Sequence, residues 1–596
     1  MKASPISPHV LFHAVVQYEI PAFQRRYVWK LEEQWEPLWN DVEDLTRSVM
    51  EDGGPQKHFM GAVVHQQMPV PSGMLGRRTV VDGQQRLTTL QLLLDAIQEV
   101  LEDQGYSDPA KRLSALVKNE ESYLAGKQDR AFKVWPTTVD RDAFRHAMKN
   151  EMSATKFAET QIVQAHDYFK RRTKQWLEEF DADKEKRARA ACALEQAVSH
   201  QLELVVIDLD ESDNPHIIFE ILNARGTPLL QSDMVKNQVF AKLGIGDDER
   251  EATHEMKEIW PFDQDDWWAE EVGRGLQRRP RVDVYLNHWL TLRNQAEMKP
   301  FDEFREFGKY SADKEIRDVV RDLGDVGKIF RDQIEEGHRT DIAKFLERRN
   351  VMNVGVVTPL LLWLLSVNLT PKRIANCLKA IESFLVRRML CSYSARSYGE
   401  LFVGLIRKLS EASTDDADSV VVGYLGQQKA QASLWPGDDE LRERFVTAPL
   451  YQYLTRGRLR MVLEGIEAAM RTDKAESREV TKKLQIEHVM PIAWRANWPL
   501  TGELSDDEEA EAIRDRVIHT IGNLTLVNDR LNASLSNAPW SSKRKTLANH
   551  SVLFLNKRLV NEGPEVWDEA AIEKRAKWLH QQAVSIWPHA DHIVLD

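Results

Sequence analysis

Cysteine is scarce in this chain: three occur among 596 residues, and Cys192, Cys377 and Cys391 stand far apart. That spacing offers neither a zinc-ligand cluster nor an even disulfide framework, and it points to a reducing, cytoplasmic setting. Long apolar runs are missing too. The most apolar segment, Val354 to Val367, is interrupted by Pro359 and falls short of the roughly 20 residues a bilayer span needs. It is expected as a buried helix, and no membrane partner is expected. The opening MKASPISPHVLFHAVV lacks the basic region and long apolar stretch that export requires, so no signal peptide is expected. A positive charge excess is also absent. A net charge of −13 and a pI near 5.8 exclude coating of nucleic acid by bulk electrostatics, but leave room for an enzyme that meets DNA through a local patch. No GxxxxGK[ST] occurs, which excludes a P-loop nucleotide site, and no internal repeat or low-complexity tract is found.

What is present is length enough for several cores. At 596 residues two to four domains are expected. The first 240 residues mix strands and helices. Gly61 to His65, Thr79 to Val81 and Leu202 to Leu209 are β-branched or apolar runs of strand length. After Asp82-Gly83, the residues Leu87, Leu90, Leu93, Leu94, Ile97 and Leu101 recur at helical spacing, predicting strand, turn, helix. Farther on, Ile374, Cys377, Leu378, Ile381, Phe384 and Leu385 repeat in the same way and end at Arg387-Arg388, so the middle reads as a helical bundle. The polar stretch Ser410 to Asp439 is the expected linker. The fold class that results is multidomain α+β, predominantly helical.

Chemistry concentrates near the C-terminus. Glu487-His488 stands in IEHVMP; Asn523 follows in IGNLTL, Asn532 comes nine positions later, and Lys543-Arg544-Lys545 lies just beyond. Hydrolysis of a phosphodiester needs an activated water, a cation near the phosphate and a group that orients the base. His488 can take the proton, Glu487 and Asn532 supply oxygen ligands suited to Mg²⁺ or Mn²⁺, and the amide of Asn523 can orient the histidine. Adjacent strand residues face opposite ways, so a bulge or strand end must reconcile Glu487 with His488. From Ser541 to Val560 there are five Lys or Arg residues and no Asp or Glu, a local basic patch in which Lys543, Arg544 and Lys545 are the expected DNA contacts. A solvated helix face is the plainer reading of that patch.

A second candidate site lies near the N-terminus. Gln24, Arg25, Asp82, Gly83, Gln84, Gln85 and Arg86 place amides, a carboxylate and guanidinium groups where a strand gives way to a helix. Such a set suits a nucleotide phosphate; helix capping is the alternative. Tyr27, Trp29, Trp35 and Trp39 form an aromatic cluster read as core rather than as a base platform.

Two resemblances attach to these residues. IEHVMP, GNLTLVNDRLN, LSN and the following lysine resemble the HNH, or ββα-metal, nuclease domain in the variant whose last metal-binding histidine is an asparagine, with glutamate where the metal acid is usually aspartate. The 34 residues between His488 and Asn523 exceed a minimal motif, so an acidic helical insertion near Asp506 to Arg516 is expected to loop out. IPAFQRRYVW, FMG, VDGQQRL and Phe219 to Leu229 (FEILNARGTPL) resemble the ParB-related domain of GmrSD-type, modification-dependent restriction endonucleases. The resemblance implies a ParB-like nucleotide-binding and NTP-hydrolysing domain over 1–240, a helical region over 241–430 and an HNH nuclease over 431–596. It also implies cleavage of modified, phage-type double-stranded DNA, with GTP, UTP or ATP as the regulating nucleotide. Double-strand cutting by a one-site enzyme would favour a homodimer. The competing readings are a nucleotide-regulated DNA-binding switch that does not cut, and an RNA-cutting toxin.

Overall fold

A computed structural model of the chain describes residues 2–21, 24, 26–51, 56–68, 70, 74–124, 128–149, 157–209, 230–243, 259–263, 265–273, 275, 278–337, 342–471, 484–498, 500 and 508–595. The described residues are mostly helical, with a mixed sheet in the N-terminal region. Contacts group them into two compact units, one of residues 1–280 and 311–320, the other of 281–310 and 321–596.

In the first unit, β1 (Lys2–Ile6), β2 (Val16–Glu19), β3 (His58–Met68), β4 (Gly76–Asp82), β5 (Val134–Trp135) and β6 (Leu202–Leu209) form one sheet in the order β1-β6-β3-β4-β2-β5. The three runs expected as strands fall in β3, β4 and β6. β3 is parallel to β6 and antiparallel to β4, which makes the sheet mixed. Gly83 follows β4 at φ +90°, and a Cβ there would stand 2.8 Å from Val63 Cγ2. Only glycine accepts that turn, and it sends the chain directly into the helix Gln84–Asp103. Leu87, Leu90, Leu92, Leu93 and Leu94 are all buried, so this helix forms the centre of the unit and packs on the helices Ser107–Val117 and Gln161–Glu178. Tyr27, Trp35 and Trp39 belong to the same core, and Trp29 packs against it.

In the second unit, Pro359 sits in the first turn of the helix Thr358–Ser366, where its missing N–H costs nothing. Leu360, Leu361, Leu362 and Leu364 of that helix are buried, as the apolar run predicts. The next helix, Pro371–Leu390, is capped by the Thr370 hydroxyl and ends on two fully buried arginines. These two explain why Ser410 to Asp439 is not a linker. Arg388 donates to the carbonyls of Ala432 and Leu434 at 2.8 and 2.6 Å, and Arg387 to Pro436 O at 3.0 Å and Asp438 Oδ1 at 2.7 Å. Polar composition suggested a tether; in fact the helices Tyr398–Glu411, Ala417–Gly426 and Asp438–Thr447 run through this stretch. Among the described residues no helix is long and apolar enough to cross a membrane.

Candidate active site

β7 (Gln485–His488) and β8 (Leu524–Val527) pair antiparallel, with His488 opposite Leu524 and Glu487 opposite Thr525. The helices Asp529–Leu535 and Trp540–His550 follow. Buried Asn556 holds the hairpin from outside, its Nδ2 donating to Leu526 O at 2.7 Å and its Oδ1 meeting the Thr525 hydroxyl. Gly522 precedes β8 against the helix Glu569–Ile586, where a Cβ would fall 2.2 Å from Ile572 O. The glycine of IGN is therefore a point of close backbone approach.

His488 is the last residue of β7, which supplies the strand end that the Glu487-His488 tandem required. The two side chains nevertheless serve different surroundings. Gln485 and Glu487 reach toward the helices after the hairpin: Gln485 Oε1 accepts from Asn532 Nδ2 at 2.7 Å, and Glu487 Oε1 accepts from Lys543 Nζ at 2.5 Å. The His488 ring instead meets Tyr451, with centroids 4.3 Å apart, and His519, at 5.5 Å. Its Nε2 is buried and has no hydrogen-bond partner among the described residues. Burial, followed by His519, Lys543 and Arg456 nearby, pushes this imidazole down to about 3, so it is neutral at neutral pH.

Asn523 departs from its expected role. Its Nδ2 donates to Met490 O at 2.8 Å and Ile518 O at 2.9 Å, while its Oδ1 accepts from Met490 N at 2.8 Å and Trp567 Nε1 at 3.0 Å. Every donor and acceptor of the amide is used without touching the His488 ring. Asn523 holds the backbone that leaves His488, so it positions the histidine through the chain and does not orient its imidazole.

The basic run also resolves differently from its composition. Lys543 is 1% exposed, and its ammonium is shared between Glu487 and His488 O, the latter at 2.7 Å. Burial lowers its pKa and raises that of Glu487, as expected for a pair drawn out of water. A lysine held this way is not a solvent-facing DNA contact. Arg544 donates twice to Val560 O, at 3.0 and 2.8 Å, and Lys545 lies on the same helix. The acidic insertion forms the helix Glu508–Val517, but it is tied down rather than looped out: Arg514 donates to Trp498 O at 2.6 Å and Trp494 Nε1 to Asp515 at 2.6 Å.

Three residues beside His488 escaped the sequence reading. Tyr451, Arg456 and His519 come from outside the motif. The Arg456 guanidinium lies 3.3 Å from the centroid of the Tyr451 ring, and Tyr451 and His519 rings stack at 5.8 Å. His519 Nδ1 is buried and unpartnered, like His488 Nε2. No spacing rule links these positions; proximity alone reveals them. One more orphan is Asn532 Oδ1, which is buried with no hydrogen-bond partner among the described residues.

The N-terminal candidates divide in a similar way. Gln85 is spent on structure: its Oε1 accepts from Val28 N at 2.9 Å and its Nε2 donates to Arg26 O at 3.1 Å. Arg86 Nη1 donates to Ala62 O at 3.2 Å, and Asp82 closes β4 opposite Val64. Gln24 Nε2 donates to Val80 O and Val81 O at 2.7 and 3.2 Å, which fixes the amide so that Oε1 points away from both. That Oε1, and the Oε1 of Gln84, are buried without partners. Arg25 and the segment 219–229 lie outside the described residues. Nearby in the sheet, His65 and Arg78 both meet Asp208, at 3.2 and 2.9 Å, a charged cluster the sequence did not mark.

Comparison with known proteins agrees with this layout. Residues 9–240 match the N-terminal domain of the GmrSD restriction endonuclease, and residues 435–582 match the C-terminal domain of GmrSD restriction endonucleases. No curated protein matches the chain. The two domains occur in order and together define a restriction endonuclease, a nuclease whose partner is DNA. The chain belongs to the GmrSD restriction endonuclease family.

Proposed function

We propose that the C-terminal hairpin is an HNH-type, metal-dependent DNA cleavage site and that the ParB-like N-terminal domain binds and turns over a nucleoside triphosphate to regulate it. The observation that carries the reading is the buried, neutral imidazole of His488 with an unpartnered Nε2. A general base must be unprotonated and must keep a lone pair for the water it activates. Its depressed pKa makes it a weak base in the free protein. Entry of a phosphodiester would bring negative charge beside the ring and raise that pKa toward the working range.

Asn532 Oδ1 and the Glu487 carboxylate are hard oxygen donors of the kind Mg²⁺ or Mn²⁺ prefers, and the Asn532 oxygen has no hydrogen-bond partner among the described residues that an ion would have to displace. When bound, the ion would supply charge neutralisation at the phosphate and the leaving oxygen. Lys543 holds Glu487 in place and offsets its charge until then. Asn523 fixes the chain after His488, and Lys545 remains available to the DNA backbone. In the first unit, Gln24 Oε1 and Gln84 Oε1 would accept from donors of a nucleotide such as GTP, UTP or ATP, with phosphate toward the start of the helix Gln84–Asp103. Modified phage DNA is the proposed substrate, cut by a cytoplasmic enzyme that dimerises to cut both strands.

The test incubates the purified chain with unmodified plasmid and with modified phage DNA, with Mg²⁺ or Mn²⁺ and with or without each triphosphate. Metal-dependent cutting that is lost in His488→Ala is expected. Undiminished cutting by that variant, or cleavage of RNA alone, would overturn the assignment. Binding without any cutting by the wild type would favour the regulatory switch.

A further inference from the structure

A cavity of about 90 Å³ is lined by residues of the helices Phe554–Glu562 and Glu569–Ile586 and the turn between them. Its chemistry is lopsided. Arg558, Lys574 and Arg575 contribute three cations, and the one acid of the lining, Glu562, is paired with Arg558 at 2.6 Å. Two indoles, Trp567 and Trp578, complete the walls, and Arg558 stacks over Trp578 at 4.3 Å from the ring centroid.

Arg575 is the unusual member. Its Nη1 donates to Gly522 O at 2.8 Å and Leu524 O at 2.6 Å, but Nη2 is buried with no hydrogen-bond partner. Among the described residues no carboxylate forms an ion pair with it. Burial without a counter-charge pushes its guanidinium down to about 9. An arginine does not give up its proton in practice, so the protein carries an uncompensated cation at this point. Neutral surroundings leave such a group costly; an anion held close to the guanidinium offsets the cost. The volume exceeds what a single water needs and admits a small oxyanion.

We propose that this cavity is a binding site for a phosphate group, held by Arg575 and Lys574, with the indole walls accepting an attached nucleobase. Inorganic phosphate, a free nucleotide and a nucleotide within a DNA strand share that chemistry. The site is wired to the cleavage hairpin: Trp567 donates to Asn523 Oδ1, and Arg575 holds the carbonyls on either side of Asn523. Occupancy should therefore stiffen residues 522–524. The proposal does not rest on the nuclease reading, because His488 takes no part in it.

Titration calorimetry on the full chain tests it, with inorganic phosphate, dCMP and a short DNA duplex as probes. Saturable binding of at least one probe is expected, weakened about tenfold or more by Lys574→Gln, an exposed position whose loss leaves Arg575 in place. Arg575→Lys, which keeps the charge but loses the fork, should weaken it further. Binding should persist in His488→Ala and in Asp82→Ala, which separates this site from the other two. Phosphate binding alone would identify a free-anion site, binding of dCMP without phosphate binding a nucleotide site, and binding of duplex alone a DNA contact. The proposal falls if no probe saturates, or if Lys574→Gln binds every probe as tightly as the wild type. Slower amide exchange at 522–526 on adding the bound probe would confirm the link to the hairpin.

Discussion

Replacing Lys543 with methionine gives the sharpest test of how the strand pair that carries His488 is built. The substitution keeps the apolar stem but removes the ammonium that meets Glu487 Oε1 at 2.5 Å and His488 O at 2.7 Å. Breaking a buried ion pair from one side costs about 3–5 kcal/mol, because the remaining charge is left dry and unpaired. The Glu487 side chain keeps 14% of its exposure, which favours the lower end, about 3 kcal/mol. Local opening of β7 and β8 should become roughly 100-fold more frequent, read as faster amide exchange at 485–488 and 524–527. The cost also has a sign in pH. Burial already raises the Glu487 pKa, and losing the lysine raises it further, so the penalty is full at neutral pH and shrinks as pH falls and the carboxyl protonates. Adding Glu487→Gln to Lys543→Met should recover most of the loss. Unchanged exchange in Lys543→Met, with a DNA-binding salt slope reduced by about one, would refute the reasoning and return Lys543 to the phosphate backbone.

Three further outcomes follow from the same geometry. Asn523→Ala strands Met490 N, Trp567 Nε1 and two carbonyls, and at about 1–3 kcal/mol per orphaned buried group it should unfold the hairpin cooperatively in a thermal melt, whereas a purely catalytic residue would leave the melt unchanged. Acidification should weaken the C-terminal unit: the unfolded His488 gains its proton below about 6.5 and the folded one only near 3, so stability is complete above 6.5 and falls through that window, an effect His488→Ala should remove from a pH series of denaturant melts. Gly83→Ala, forced into φ +90° against Val63, should cost about 1–3 kcal/mol in the first unit, and an unchanged midpoint would show that the turn relaxes.

Much of the fold was legible because it rests on local chemistry. Leu87 through Leu101 recur at helical spacing, and β6 has the bounds its apolar run gave. Thr358–Ser366 is buried as its composition required. What failed was any inference that equated polar with exposed. Ser410 to Asp439 looked like a tether because its side chains are acidic and small, yet its backbone carbonyls satisfy Arg387 and Arg388, which no periodicity announces. Lys543 looked like part of a solvated patch because its neighbours are basic, yet one face of that helix turns it inward to Glu487.

The candidate site repeats the division. Residue type and order marked Glu487, His488, Asn523 and Asn532 as candidates, and the family was legible as a resemblance carried by motifs at both ends of the chain. Tertiary structure decided what each one touches. Strand alternation sent Glu487 and His488 to different neighbours, chain reversal brought Tyr451, Arg456 and His519 to the imidazole, and burial left Arg575 with no ion-pair partner among the described residues. Contacts between residues far apart in the chain depend on how helices pack, and packing is a property of the whole sequence rather than of any window within it.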